Sequence, residues 1–462
     1  MKWLEAMDMD RPILEELKKS PHVQNGLFDN ARKLALYPEN RESLNLGRYF
    51  VEKTTEKLEE LIIHTHFETI DDRSPSRSDV SVRELNDTAT GPGLLSSTLF
   101  GHFMPFDECT PFKNLTSLRL HRISLRYCAD TWCKFINFNQ MQCLRIYHCP
   151  GVDSLLGQLS RAKHLPKTLQ VLELQHKDNS ENEALVAFDG FLCLISGLND
   201  LIIDLQNVKS LPAAAGIVRH NKTLELLNVH CSSELSNPLV NEMACDAEEL
   251  VYDTEDFDKI CSAASRLEQL SCAWPGRSLI RSPTDEWVAF ENATAKLRNL
   301  VTLHITTWPT NKPSAQLLPR AVYEQLLQGA ATRLFELTAK RTPSTDAAPD
   351  APAVQPENSA AASTTSSTLL APSKLRLIAF GISDKIYERE DSRNQLLYLR
   401  SSALDAEGKP KIHATPVGWC ARKYLEPRSE VLDFVLGREA RMPCRERGDM
   451  DARFGFGVDE DE

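Results

Sequence analysis

Apolar residues recur along this chain in the hexameric pattern Leu-x-x-Leu-x-Leu, with conservative replacements. The matches are Leu58-Leu61-Ile63, Leu115-Leu118-Leu120, Met141-Leu144-Ile146, Leu169-Leu172-Leu174, Leu198-Leu201-Ile203 and Leu224-Leu227-Val229. They continue as Leu267-Leu270-Cys272, Leu300-Leu303-Ile305 and Leu375-Ile378-Phe380, with Ala247-Leu250-Tyr252 a weaker tenth. The last two apolar positions of each hexamer are two residues apart, so on an extended chain they share one face. Each hexamer therefore predicts a strand. Between them the period changes to that of a helix: Val152, Leu155, Leu156 and Leu159 fall at i, i+3, i+4 and i+7, as do Phe257, Ile260, Cys261 and Ala264. The stretch from Arg320 to Lys340 predicts a longer helix, with Val322, Leu326, Ala330, Leu334 and Leu337 along one face.

From 115 to 224 successive hexamers begin 26, 28, 29 and 26 residues apart, steps that fall within the period of leucine-rich repeats. Each strand-and-return unit buries its apolar face only against its neighbours. The expected fold is therefore α/β, an irregular leucine-rich-repeat solenoid: a curved parallel sheet with helices or loops on its convex side. Cys149 stands ninth in its repeat, where Asn or Cys bonds loop backbone, while other repeats carry Ile123, Lys177, Gln206 or Pro275 there. The predicted layout is a helical or capping region over 1–57 and repeats over 58–340. A low-complexity insertion over 341–373, a last repeat with a C-terminal cap over 374–436 and a charged tail over 437–462 complete it. The insertion has 24 Pro, Ala, Ser or Thr among 33 residues and no aromatic residue, a composition that predicts disorder. Asp71–Pro92, rich in Asp, Ser, Arg and Thr, reads as an exposed loop.

Composition narrows the function classes. A net charge of −12 lacks the positive field that non-specific nucleic-acid binding needs. No apolar run is long enough for a membrane span, and Met1–Glu15 has no secretory h-region. The twelve cysteines form no CxxC pair and are expected as reduced thiols in a cytoplasmic or nuclear protein.

No GxSxG, HExxH, GxxxxGK[ST] or GxGxxG motif occurs. His64-Thr-His66 has metal-compatible spacing without an accompanying cluster, and reads as a solvated strand end. No catalytic, cofactor-binding or metal-binding residue is assigned. The informative feature is the strand face opposite the apolar positions. Positions three, five and seven place Arg119 and His121, then Arg145 and Tyr147, then Glu173 and Gln175, on that concave face. Asp200 and Asp204, then Asn228 and His230, follow, and the weak tenth repeat adds Glu249 and Asp253. Arg119 beside Arg145 is a like-charge neighbour pair, and Glu173, Asp200 and Asp204 repeat the problem with opposite sign. A partner presenting complementary charges relieves both, so a protein-binding strip is expected there.

Leu267–Pro275 reads LEQLSCAWP, and Leu300–Pro309 reads LVTLHITTWP; Lys374–Gly381 is KLRLIAFG, and Gly418–Phe434 is GWCARKYLEPRSEVLDF. Over roughly Leu58 to Phe434 these segments resemble the leucine-rich-repeat part of fungal F-box proteins. The resemblance implies repeats that capture a protein for ubiquitination, and an N-terminal F-box that holds the adaptor of a cullin ligase. Pro12–Leu17 (PILEEL) only faintly echoes the start of an F-box. The adaptor is expected as a partner only if an F-box is present. The expected function is a non-catalytic protein-interaction module with an unidentified protein partner, no cofactor, no nucleic acid and no membrane. An enzyme with an unfamiliar site, or a scaffold for another intracellular complex, are the alternatives.

Overall fold

The computed structural model describes residues 3–6, 16, 19–24, 30–37, 41–64, 99, 112–233, 249–276, 282–307, 320–340, 373–381, 396–404 and 406–417. The chain divides into two compact units, Met1–Ala273 and Trp274–Glu462. Asp71–Pro92, the low-complexity stretch 341–372, His66 and the tail 437–462 lie outside the described residues.

In the first unit, strands and helices alternate. β1 (Trp3–Ala6), the single turn α1 (Pro21–Gln24), β2 (Lys33–Leu36), α2 (Arg41–Thr54) and β3 (Glu60–His64) come first. β4 (Ser117–His121), α3 (Ala129–Phe135), β5 (Cys143–Tyr147), α4 (Val152–Leu159), β6 (Val171–Lys177) and α5 (Glu183–Leu192) follow. β7 (Asp200–Gln206), α6 (Ala214–Val218), β8 (Leu226–Ser232), α7 (Thr254–Ala263) and β9 (Gln269–Cys272) close the unit. Every strand pairs in parallel with its predecessor in the chain. The register matches hexamer to hexamer: Leu61, Leu118, Leu144, Leu172, Leu201, Leu227 and Leu270 are successive partners.

Pairing begins one residue before the strands. The second hexamer position forms its own backbone ladder, Gln142 N to Thr116 O, Gln170 N to Gln142 O, Asn199 N to Gln170 O and Glu225 N to Asn199 O, each 2.8 Å. In the nine closer hexamers the first, fourth and sixth positions are buried, and the returns cover them. In α4, Val152, Leu155, Leu156 and Leu159 are all buried, as the spacing predicted. In α7 the same holds for Phe257, Ile260 and Cys261.

The region expected as a helical cap, 1–57, also contributes β1 and β2 to the sheet. Ala31, Leu34 and Leu36 occupy the buried positions of one more repeat. The weak match Ala247-Leu250-Tyr252 is not a parallel strand. Glu249 makes only an isolated antiparallel bridge to Ser232, and Asp253, expected on the open face, instead caps α7 by accepting from Asp256 N at 2.7 Å.

The second unit contains α8 (Asp285–Thr294), β10 (Thr302–Ile305), α9 (Arg320–Lys340), β11 (Leu377–Phe380), β12 (Leu396–Leu404) and β13 (Pro410–Pro416). β10 and β11 are parallel, in hexamer register, whereas β11, β12 and β13 run antiparallel. α9 spans the predicted residues, but its buried face is Leu327, Ala330, Ala331, Leu334 and Phe335, with Val322 exposed. That face is turned from the predicted one because α9 meets both β12 and α8: Tyr398 donates to Glu324 O at 2.9 Å, and Arg333 pairs with Glu291 at 3.0 Å. Trp274 is buried and packs edge-on against Trp287 and Phe290, with ring centroids 4.9 and 5.5 Å away.

Candidate partner-binding face

Position seven of successive strands forms one row, because the register pairs His64 with His121, Tyr147, Gln175, Asp204 and His230 in turn. Position five forms a second row of Ile62, Arg119, Arg145, Glu173, Ile202, Asn228 and Ser271. Asp200 belongs to the position-three row, beside Val171 and Leu226. All ten residues assigned to the strip from sequence therefore lie on the sheet face opposite the leucines.

That face is less open than expected. Glu173 is fully buried, and Tyr147, Gln175, Asp204 and Ile202 are buried as well. Arg119, His121, Arg145, Asp200, Asn228 and His230 are half-buried. The cause is spacing. Neighbours in a row stand about 4.8 Å apart, so long side chains shade one another even where they point away from the core.

Burial also changes the charge pattern. The strip was expected to separate basic from acidic residues, but the register sets Arg145 against Glu173, with Nε 3.4 Å from Oε2. At that length the contact is an ion pair rather than a hydrogen bond. Burial alone would lower the Arg145 pKa; Cys143, Tyr147, Glu173 and Asp200 around it outweigh that and raise it. At the next acidic position, His230 is held from both sides, Nδ1 3.0 Å from Asp204 and Nε2 2.8 Å from Glu249. Burial disfavours the imidazolium, but the two carboxylates overcome it and push the His230 pKa up to about 9. Asp204 and Glu249 thus enclose a cation at neutral pH.

At the other end of the row stand aromatic and imidazole rings. His64 lies 4.0 Å from His121 and 5.8 Å from Tyr37, edge-on in both cases, and His121 is 5.9 Å from Tyr147 and 6.1 Å from His148. His64 is buried, not the solvated strand end expected. Tyr37 and His64 belong to the same row and were not assigned to it. The signal was the hexamer Ala31-Leu34-Leu36, whose first position is alanine. No group of three or more His, Cys, Asp or Glu suited to a metal ion occurs among the described residues.

The loops at the strand ends are fixed by polar groups. Cys149 accepts from Ile123 N at 3.4 Å and donates to Tyr147 O at 3.3 Å, linking two repeats as its ninth position predicted. Burial pushes its thiol up to about 12, so it is a structural link and not a nucleophile. One repeat on, the buried Asp178 accepts from Ala184 N and Leu185 N at 3.1 and 2.9 Å, tying down the start of α5. Cys133, Cys143, Cys149, Cys193 and Cys231 form no disulfide. Among the described residues no helix is long and apolar enough to cross a membrane.

No protein-family model matches the chain. No curated protein matches it either.

Proposed function

We propose that the chain is an irregular leucine-rich-repeat solenoid acting as a non-catalytic protein-interaction module, the substrate-recognition part of a cullin-type ubiquitin ligase in the cytoplasm or nucleus. The observation that carries the interaction reading is the open-face row itself. Nine parallel strands follow one another in chain order, and one face carries Arg119, His121, Arg145 and Tyr147 on adjacent strands, with Asn228 and His230 three strands on. Arg and Tyr are over-represented where proteins bind proteins, because they combine large contact area with directional donors. The ligase assignment rests on the likeness of LEQLSCAWP, LVTLHITTWP and the Gly418–Phe434 block to fungal F-box/leucine-rich-repeat proteins.

Site-specific photo-cross-linking tests the face. A cross-linking residue replacing Asn228, half-buried on β8, is expected to capture a protein from cells of the source organism. The same residue replacing Val186, exposed on α5, is expected to capture none. Cross-links from Val186 with none from Asn228 place the partner on the helices and refute the face. Recovery of the cullin adaptor from the full chain supports the ligase role, and its absence from an otherwise productive capture removes that role.

A further inference from the structure

Arg119 and Arg145 are register partners on the adjacent strands β4 and β5, so their side chains leave the same face about 4.8 Å apart. Arg145 has an ion-pair partner in Glu173, reached through Nε at 3.4 Å. Its side chain keeps 30% of its exposure while Glu173 keeps none. Arg119 makes no side-chain hydrogen bond or ion pair with any described residue, and its register partner on β3 is the buried, apolar Ile62. Arg145 is therefore the compensated member of the pair, and Arg119 the one that no described carboxylate pairs with. Asp200, on β7 two strands away, also acts on Arg145. Two residues further along the strands, His121 and Tyr147 flank the pair on the same face.

We propose that Arg119 and Arg145 form a carboxylate subsite, taking the side chain of an aspartate or glutamate in an extended segment of a partner protein. The proposal rests on the interaction reading above and gives it a ligand chemistry. Guanidinium groups present paired N–H donors whose geometry matches a carboxylate. A monoanion also matches the one uncompensated guanidinium, Arg119, whereas a doubly charged phosphate exceeds it. Half-burial strengthens the contact, because the charges meet where water screens them less than on an open surface.

The probe is a fluorescent, acetylated and amidated peptide of alternating glutamate and alanine, titrated by anisotropy against the full chain. Binding is expected, and it is expected to weaken as salt rises. The matching glutamine–alanine peptide should not bind. Arg119→Gln should weaken binding by about tenfold, equivalent to about 1.4 kcal/mol, with an unchanged circular-dichroism melt. Arg119→Lys keeps the charge but loses the fork, and should fall between the two. Arg161→Gln, which removes an exposed arginine elsewhere in the first unit, should bind as the parent does. Equal binding of the glutamine peptide, or an equal loss in Arg161→Gln, overturns the subsite. Tighter binding of a phosphoserine–alanine peptide overturns the carboxylate assignment. If peptide binding fails while a cross-linker at Asn228 still captures a protein, this subsite falls alone; if both fail, the interaction reading falls with it.

Discussion

His230 and His220 occupy the same unit and are driven in opposite directions. Asp204 and Glu249 hold His230 protonated, with a pKa near 9. Its stabilising contribution is whole below the ordinary value near 6.5 and is lost as pH climbs through about 9. His220 is buried and neutral, accepting from Leu198 N at 3.3 Å, and desolvation lowers its pKa to about 4. Below 6.5 the unfolded chain takes that proton first, so stability falls with each unit of acidification until about pH 4. At about 1.4 kcal/mol per unit, each group contributes roughly 3 kcal/mol at most. Urea unfolding across pH should therefore peak near neutrality. His230→Gln should flatten the alkaline limb and His220→Gln the acid limb; an alkaline limb that survives His230→Gln unchanged refutes the clamp. Arg145→Ala is a separate test of the neighbouring position-five row. It leaves Glu173 buried without its counter-ion, and should cost about 2–3 kcal/mol, less than a fully buried pair because Arg145 is partly exposed.

Elements in this fold are set by position within the repeat, and that explains what the sequence revealed. The hexamers at Leu115 to Leu224 were legible because leucine or a close relative fills all three buried positions and the steps between them are regular. β2 was missed because Ala31 fills the first position, and alanine carries too little apolar signal to mark a repeat. The antiparallel β12 and β13 follow no hexamer, and their pairing is set by local register from Tyr398 opposite Pro416 to Leu404 opposite Pro410. The ten face residues were legible as a set, since a period of two fixes their side of the strand. Their burial and pairing were not, because both depend on which residue stands opposite in the next strand. The Arg145–Glu173 pair exists only because β5 and β6 align at that register. One turn can be tested directly. Gly151, which leads into α4, has φ +80°, and a Cβ there would lie 2.5 Å from Arg126 N. Gly151→Ala should destabilise by about 2 kcal/mol or more, from the left-handed backbone and the clash together. A melt within a degree of the parent's would mean the turn moves freely.

At the scale of the whole molecule, two compact units hold separate sets of core side chains. In the first, Leu172 is enclosed between Leu144 and Leu201 on the adjoining strands. In the second, Glu291 is buried, accepting from Trp287 Nε1 at 2.9 Å and pairing with Arg333. A chain built this way should not melt in one step, so the calorimetric enthalpy should exceed the van't Hoff value. Leu172→Ala should cost roughly 2–5 kcal/mol. Because each repeat is stabilised chiefly by its neighbours, the loss should spread along the stack from that strand. Hydrogen exchange read by mass spectrometry resolves the distribution. Amides of β5, β6 and β7 should exchange faster in Leu172→Ala, with β4 and β8 following more weakly, while β11 and β12 keep the parent rate. Glu291→Ala should give the converse. It leaves the buried Trp287 N–H without its acceptor, at about 1–3 kcal/mol, and speeds exchange in α8 and α9 but not in β6. Uniform acceleration of every strand by either substitution would mean that the chain unfolds as one cooperative body, and that the two sets of core residues are not energetically separate.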